Sequence, residues 1–371
     1  MRRFFRNLFN RKERESFLLD IEDPIGAFWS WFEQNEHAFF LAVQTQREVE
    51  QRFINVITSQ LQNINPHIFT LVGMIGPYTA ELVLTPDGHI PTVPLVEELV
   101  EKAPKLNNWK FTALKPAFDF GTEGLSIHGY HFSIENLFFT THEDPYYPDL
   151  ISISVIHPGL TSQNREEIVS GIFLFLDSYL GEYDLITKVD QIEIVEPEAV
   201  KGERIPISKL KNYLLWREKE FVERYESSKR QTENDQYSAL EGVLQNGKLL
   251  LAVMNMDLLQ WDQKPSHSWI MRVEVYYEGD SQNGLPNKRD FQEMNILEEE
   301  ILGRLTDKNG YLYIGRQTGD GLREIYFACK EFRTPAKVLM LIKQAYKGRL
   351  NMDIFIFKDK YWQALQHLVP N

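Results

Sequence analysis

The chain has 371 residues, a formal net charge of −13, 43% apolar and 25% charged residues, and one cysteine. That length exceeds one ordinary hydrophobic core, so two domains are expected, and the near-average composition excludes wholesale disorder and collagen-like or membrane-embedded classes. The negative charge disfavours phosphate backbones, so nucleic acid is not an expected partner. The lone thiol, Cys329, cannot close an internal disulfide, which suits a reducing, cytoplasmic setting.

Residues 1–20 form a basic tail with Arg2, Arg3, Arg6, Arg11, Lys12 and Arg14, and Phe4, Phe5, Leu8 and Phe9 fall on one side of a helix. Such a segment can lie in a membrane interface, but an untethered tail or a short docked helix is the expectation. It lacks the continuous apolar stretch and cleavage site of a secretory signal. The longest apolar run, 168–180, is interrupted by Ser170, Gly171, Asp177 and Ser178 and reads as a buried helix.

Residues 21–200 read as an N-terminal α+β domain. Val49, Phe53, Val56, Ile57 and Leu61 follow helical spacing. Strands are expected at 69–75, 80–85, 109–114, 126–132, 137–141 and 150–156, with a helix over 94–100. Residues 201–236 read as a charged helix, with Leu210, Leu214, Phe221 and Tyr225 on one side, running into a polar linker at 227–236.

Residues 237–371 form the C-terminal domain. It opens on Leu244-Gln-Asn246-Gly247-Lys-Leu249, where Asn-Gly marks a hairpin. Strand 269–277, helix 290–305, strands 311–318 and 322–329, helix 335–346, strand 350–357 and a short last helix follow. Thr334 is the expected cap of the second helix, with Pro335 at its first position and Gly348 past its end. The order βαββαβ predicts a ferredoxin-like sandwich preceded by an extra hairpin.

The most informative stretch runs from Tyr311 to Phe327. Taking Gly319-Asp320 as a type II′ loop sets Thr318 opposite Gly321 and Arg316 opposite Arg323. By alternation both arginines share a face with Leu312, Ile314, Ile325 and Phe327. Two facing guanidinium groups demand a negative charge. It comes either from Glu298, Glu299 or Glu300 on the neighbouring helix, or from an acidic partner or small anion. Arg316, Thr318, Arg323 and Glu324 are therefore the candidate binding residues.

No catalytic residue, cofactor or metal is assigned. Glu33 with His37, and His128 with His131, lack further ligands at a diagnostic spacing. There is no Gly-x-Ser-x-Gly elbow, phosphate-cradling Gly-x-x-x-x-Gly-Lys loop or Gly-x-Gly-x-x-Gly turn. Cys329 shares a strand face with Phe327 and reads as packing. Glu97-Glu98, Glu143-Asp144 and Glu298-Glu-Glu300 read as solvated charge. The oligomeric state has no signature.

Several separated motifs agree in order with one family. Ser268-Trp269, Tyr276, Gly284-Leu285-Pro286, Glu298, Thr318-x-x-Gly321-x-Arg323-Glu324-x-Tyr326-Phe327 and Lys358-Asp359-x-x-Trp362 resemble the bacterial family catalogued as domain of unknown function 695, over about residues 240–370. More distantly, Gly315-Arg316-x-Thr318 and Arg323-Glu324-x-Tyr326-Phe327 are similar to bacterial ribonuclease E regulator B proteins, which act by binding an enzyme. The N-terminal Phe28-Trp-x-Trp31-Phe, Ala103-Pro-x-Leu-x-x-Trp109, Ala113-Leu-Lys-Pro116 and Phe175-Leu-Asp-x-x-Leu-Gly-Glu182 resemble a segment of uncharacterised bacterial proteins, which implies no chemistry. The leading expectation is a non-catalytic interaction or regulatory module for an acidic protein or small anion. The alternative is an enzyme acting on an anionic metabolite in an interdomain cleft.

Overall fold

The computed structural model describes residues 23–200 and 202–368, so the basic tail at 1–20 lies outside the described residues. The chain contains both helices and sheets, an α+β architecture. It divides into two compact units: the described residues up to Leu84 with Glu98–Thr112, and Thr85–Glu97 with Ala113 onward.

In the first unit, Asp23 starts α1 (Pro24–Thr45) by accepting the Gly26 N–H at 3.0 Å, with Pro24 in the first helical position. A π-helical turn, Glu50–Ile54, leads into α2 (Asn55–Ile64). Phe53, Ile57 and Leu61, three and four residues apart, are fully buried as their spacing predicts. The sheet runs β1 (Phe69–Gly76), β2 (Thr79–Thr85), β3 (Trp109–Ala113), and α3 (Val93–Glu101) lies between the last two in the chain. Trp109 stacks on Phe53 at 5.5 Å and meets Phe32 edge-on at 5.2 Å, so an aromatic core joins helices to sheet.

In the second unit, one expected strand is two. The strand expected over 126–132 is a hairpin, β4 (Leu125–Ile127) and β5 (Tyr130–Phe132), because His128 and Gly129 adopt positive φ of 51° and 81° and turn the chain. Next come β6 (Phe138–His142), β7 (Ser152–Ile156), α4 (Arg165–Leu180), α5 (Glu182–Lys188), β8 (Gln191–Val195), β9 (Ile205–Pro206) and α6 (Leu210–Tyr225). The sheet order is β8-β7-β6-β9, with β7 and β8 parallel. A parallel pair needs a crossover, which α4 and α5 supply. Ile153 and Val155 alternate with Ser152 and Ser154 along β7, so one face packs with Phe139 against Ile168, Ile172 and Phe175 of α4 and Leu210 and Leu214 of α6. The polar stretch at 227–236 is tied down: Ser228 bonds Gln263 at 2.8 Å, and Thr232 donates through its N–H and hydroxyl to Asp307, both at 2.7 Å.

The larger sheet comprises β10 (Tyr237–Val243), β11 (Leu249–Asn255), β12 (Trp269–Tyr276), β13 (Tyr311–Gly319), β14 (Leu322–Cys329) and β15 (Asn351–Lys358), in the order β10-β11-β13-β14-β12-β15 with every neighbour antiparallel. Helix α7 (Met256–Leu259) follows β11, α8 (Lys288–Arg304) follows β12 and α9 (Arg333–Ala345) follows β14. Central β12 buries Met271, Val273 and Val275 on one face and Ile270 on the other, where Arg272 stays partly exposed. One face packs Met254, Ile270, Leu312, Ile314 and Ala328 against Leu258, Leu259, Trp362 and Leu365. Helix α9 starts one residue before the expected Thr334 cap: the Glu331 carboxylate accepts the N–H groups of Arg333 and Thr334 at 2.7 and 3.2 Å, so a glutamate caps instead.

Candidate functional site

The β13–β14 hairpin carries the residues singled out in the sequence, in a different register. Its loop is Asp320-Gly321, not Gly319-Asp320: both have positive φ, 49° and 81°, as a type I′ turn requires. Thr318 therefore faces Arg323, and Arg316 faces Ile325. A bulge between Tyr313 and Gly315 shifts the alternation, so Leu312 and Ile314 lie on the opposite face from the arginines, not on the same one. Gly315 permits it: a Cβ there would sit 2.3 Å from the Val253 carbonyl oxygen.

Arg316, Thr318 and Arg323 share the face toward α8. Arg316 Nη1 lies 2.7 Å from Glu298 Oε2, and Arg323 Nη1 lies 3.8 Å from the same oxygen. Glu298 Oε1 accepts the Tyr313 hydroxyl at 2.5 Å. Arg323 donates to Thr318 Oγ1 at 3.0 Å and Asn295 Oδ1 at 2.8 Å, and its guanidinium lies over Phe291 at 5.1 Å. It is 1% exposed, whereas the Arg316 side chain is 28% exposed. Burial, then the neighbouring Arg316, pushes the Arg323 guanidinium down to about 10, and Glu298 opposes both. The counter-charge is thus internal, yet one carboxylate serves two cations.

Beyond Arg316 the same face continues onto β11 and β10. Val253 lies opposite Arg316 and Leu251 opposite Thr318, and these pair in turn with Ala239 and Glu241. Tyr237, Val243 and Leu251 are 42%, 69% and 38% exposed. Tyr237 stacks on Tyr313 with centroids 6.2 Å apart, so an uncovered apolar strip adjoins the arginine pair.

Glu324 points to the other face. It lies opposite Glu274 on β12, and Arg272 lies 2.9 Å from Glu274 and 3.7 Å from Glu324. Gln317 donates to Glu324 and, at 3.1 Å, to the Tyr326 hydroxyl. Tyr276 donates to Glu274 at 2.5 Å, and that bond pushes its phenol up to about 12. Glu324 and Arg323, adjacent in the sequence, therefore belong to separate networks.

A second charged cluster carried no sequence signal. Buried Asp190 binds Lys358 at 2.8 Å and Lys360 at 2.7 Å, and accepts the Ile151 N–H at 2.7 Å. Lys360, 3% exposed, also donates to the Asp149 carbonyl at 2.6 Å. The Asp149 carboxylate takes Arg224, Tyr225 and Tyr361 at 2.6, 2.7 and 2.6 Å. Burial, then Lys358, pushes Lys360 down to about 8; burial alone would raise Asp190, but the two lysines hold it below the usual carboxylate range. These residues are up to 212 positions apart, so no local motif reveals them. Beside them lies an open groove of about 770 Å³ lined by His142, Glu143, Asp144, Tyr146, Tyr147 and Glu193, among others.

Cys329 is fully buried, and burial pushes its thiol well up, so it acts as packing. Among the described residues no helix is long and apolar enough to cross a membrane, and no group of three or more His, Cys, Asp or Glu is placed to hold a metal ion. No curated protein and no solved structure matches the chain. Residues 243–369, from the end of β10 onward, match the model of a family described as Family of unknown function (DUF695), which supports the resemblance carried by the C-terminal motifs.

Proposed function

We propose that this protein is a non-catalytic interaction or regulatory module, and that its C-terminal domain docks an acidic protein segment beside Arg316. The domain is read as a ferredoxin-like βαββαβ sandwich widened by the β10–β11 hairpin; the strand order β13-β14-β12-β15, with α8 and α9 as the crossovers, supports that reading. Fold alone assigns no function.

One observation carries the proposal: the exposed strip of Tyr237, Leu251 and Val243 adjoins the partly exposed Arg316, which shares one carboxylate with the buried Arg323. An incoming carboxylate would complete the charge balance at Arg316 while apolar neighbours cover the strip. The similarity of the hairpin to ribonuclease E regulator B proteins, which work by binding an enzyme, agrees with this. A cytoplasmic, bacterial setting belongs to the same reading. An enzyme acting on an anionic metabolite has less support, because Glu143, Asp144 and Glu193 along the groove repel an anion.

Affinity capture from a native lysate, comparing the intact chain with Arg316→Ala and with Leu251→Asp, tests the proposal. Loss of the same captured protein from both variants, with unchanged melting temperature, is expected. An identical captured set in all three samples overturns it.

A further inference from the structure

The outer edge of β10 is an unguarded hydrogen-bonding edge. The Met256 N–H donates to the Gln236 carbonyl and the Leu244 N–H to the Lys248 carbonyl, which fixes residues 238, 240 and 242 as those bonded to β11. The N–H and C=O groups of Tyr237, Ala239, Glu241 and Val243 therefore point away from the sheet, and they meet no backbone partner among the described residues. Natural sheets protect such an edge with proline, charged side chains and above all lysine, a bulge or a covering element; β10 carries one such charge, Glu241. Here Tyr-Ser-Ala-Leu-Glu-Gly-Val contains no proline or lysine, and its pairing with β11 is free of bulges. At the far edge of the same sheet, β15 is contacted by the short helix Ile90–Thr92.

The sequence of β10 is complementary to itself. If two copies pair antiparallel about Leu240, the outward groups of all four positions are satisfied together, with Tyr237 opposite Val243 and Ala239 opposite Glu241 in each half. The pairs at the ends are aromatic against β-branched, a favourable combination, and they cover Val243 and Tyr237, 69% and 42% exposed. The two Glu241 side chains avoid each other because each faces an alanine. Leu240 meets its own copy on the opposite face.

We propose that β10 pairs with β10 of a second copy of this chain, joining two six-stranded sheets into one continuous antiparallel sheet. The pairing shares Tyr237 and Val243 with the strip proposed for an acidic partner but does not involve Arg316, so Arg316→Ala should abolish capture of that partner while leaving self-association unchanged, which separates the two proposals.

Sedimentation velocity of the full chain over a wide concentration range reads the association directly. Ala239→Glu sets two carboxylates against each other twice per dimer and should weaken association roughly tenfold, while Ala239→Lys sets a lysine against each Glu241 and should strengthen it several-fold. Position 239 is exposed in the single copy, so both variants should keep the circular dichroism of the parent. A chain that stays monomeric at every concentration overturns the proposal, as does equal association of the two variants.

Discussion

Glu298 and Asp190 pose the same electrostatic problem and meet it differently. Each buried carboxylate holds two cations: Arg316 and Arg323 in one case, Lys358 and Lys360 in the other. Around Asp190 the site is closed. Its lysines are 13% and 3% exposed, and each also donates to a backbone carbonyl, Lys358 to Thr187 and Lys360 to Asp149. Around Glu298, Arg316 reaches water beside an uncovered apolar strip. On the proposed reading, a two-to-one charge count opens a docking surface only where one cation keeps an exposed side. Where both are sealed, the same count describes a staple.

The largest expected effect breaks the closed member of the pair. Asp190→Ala leaves two buried ammonium groups without their counter-charge and should cost about 3–5 kcal/mol in urea unfolding. Glu298→Ala should cost less, about 2–3 kcal/mol, because Arg316 can turn into water while Arg323 cannot. Equal losses in the two variants would mean that the arginine site is as closed as the lysine one.

Burial without any counter-charge supplies the third case. His267 is 1% exposed, and burial, then Lys330, pushes its imidazole down to about 3. An unfolded chain takes up this proton near the ordinary value of about 6.5, so its contribution to stability is complete above that pH and is lost as pH falls toward the folded value. Between those limits His267→Asn should flatten the acid loss of stability by about 1 kcal/mol per pH unit relative to the parent. Parallel pH profiles for the two proteins would exclude the histidine as the cause.

The smallest effect on stability is expected at the site of greatest interest. Arg316→Ala should change unfolding free energy by less than about 1 kcal/mol, since the side chain is partly exposed, while abolishing capture of an acidic partner. A loss as large as that of Glu298→Ala would make Arg316 structural.

Much of this architecture was legible in the residues. Alternation and turn chemistry located β12, β13, β14 and β15 to within about two residues, and Phe53, Ile57 and Leu61 gave the buried face of the second helix. Glu298 was among the carboxylates expected to meet the arginines. The hairpin register was harder, because Gly319-Asp320-Gly321 allows two loops one residue apart, and the choice changes every cross-strand partner. The bulge at Ile314 depends on a close approach by Val253, a contact from another strand. His128-Gly129 carried a turn signal that the apolar residues around it concealed. Parallel strand β8 and the Asp190 cluster depend on long-range contacts, which local pattern cannot encode.

The Asp190 staple also bears on how the recurrent part of the chain can be handled. A fragment trimmed to residues 243–369 would retain Lys358, Lys360 and Tyr361 but leave behind Asp149, Asp190 and Tyr225. It would also strip β11 of its outer neighbour, trading one short exposed margin for another with Leu250, Ala252 and Met254 along it. The matching segment is thus stitched to sequence that its family model does not cover, and shortening the chain to that segment should yield an aggregation-prone product rather than a miniature of the whole.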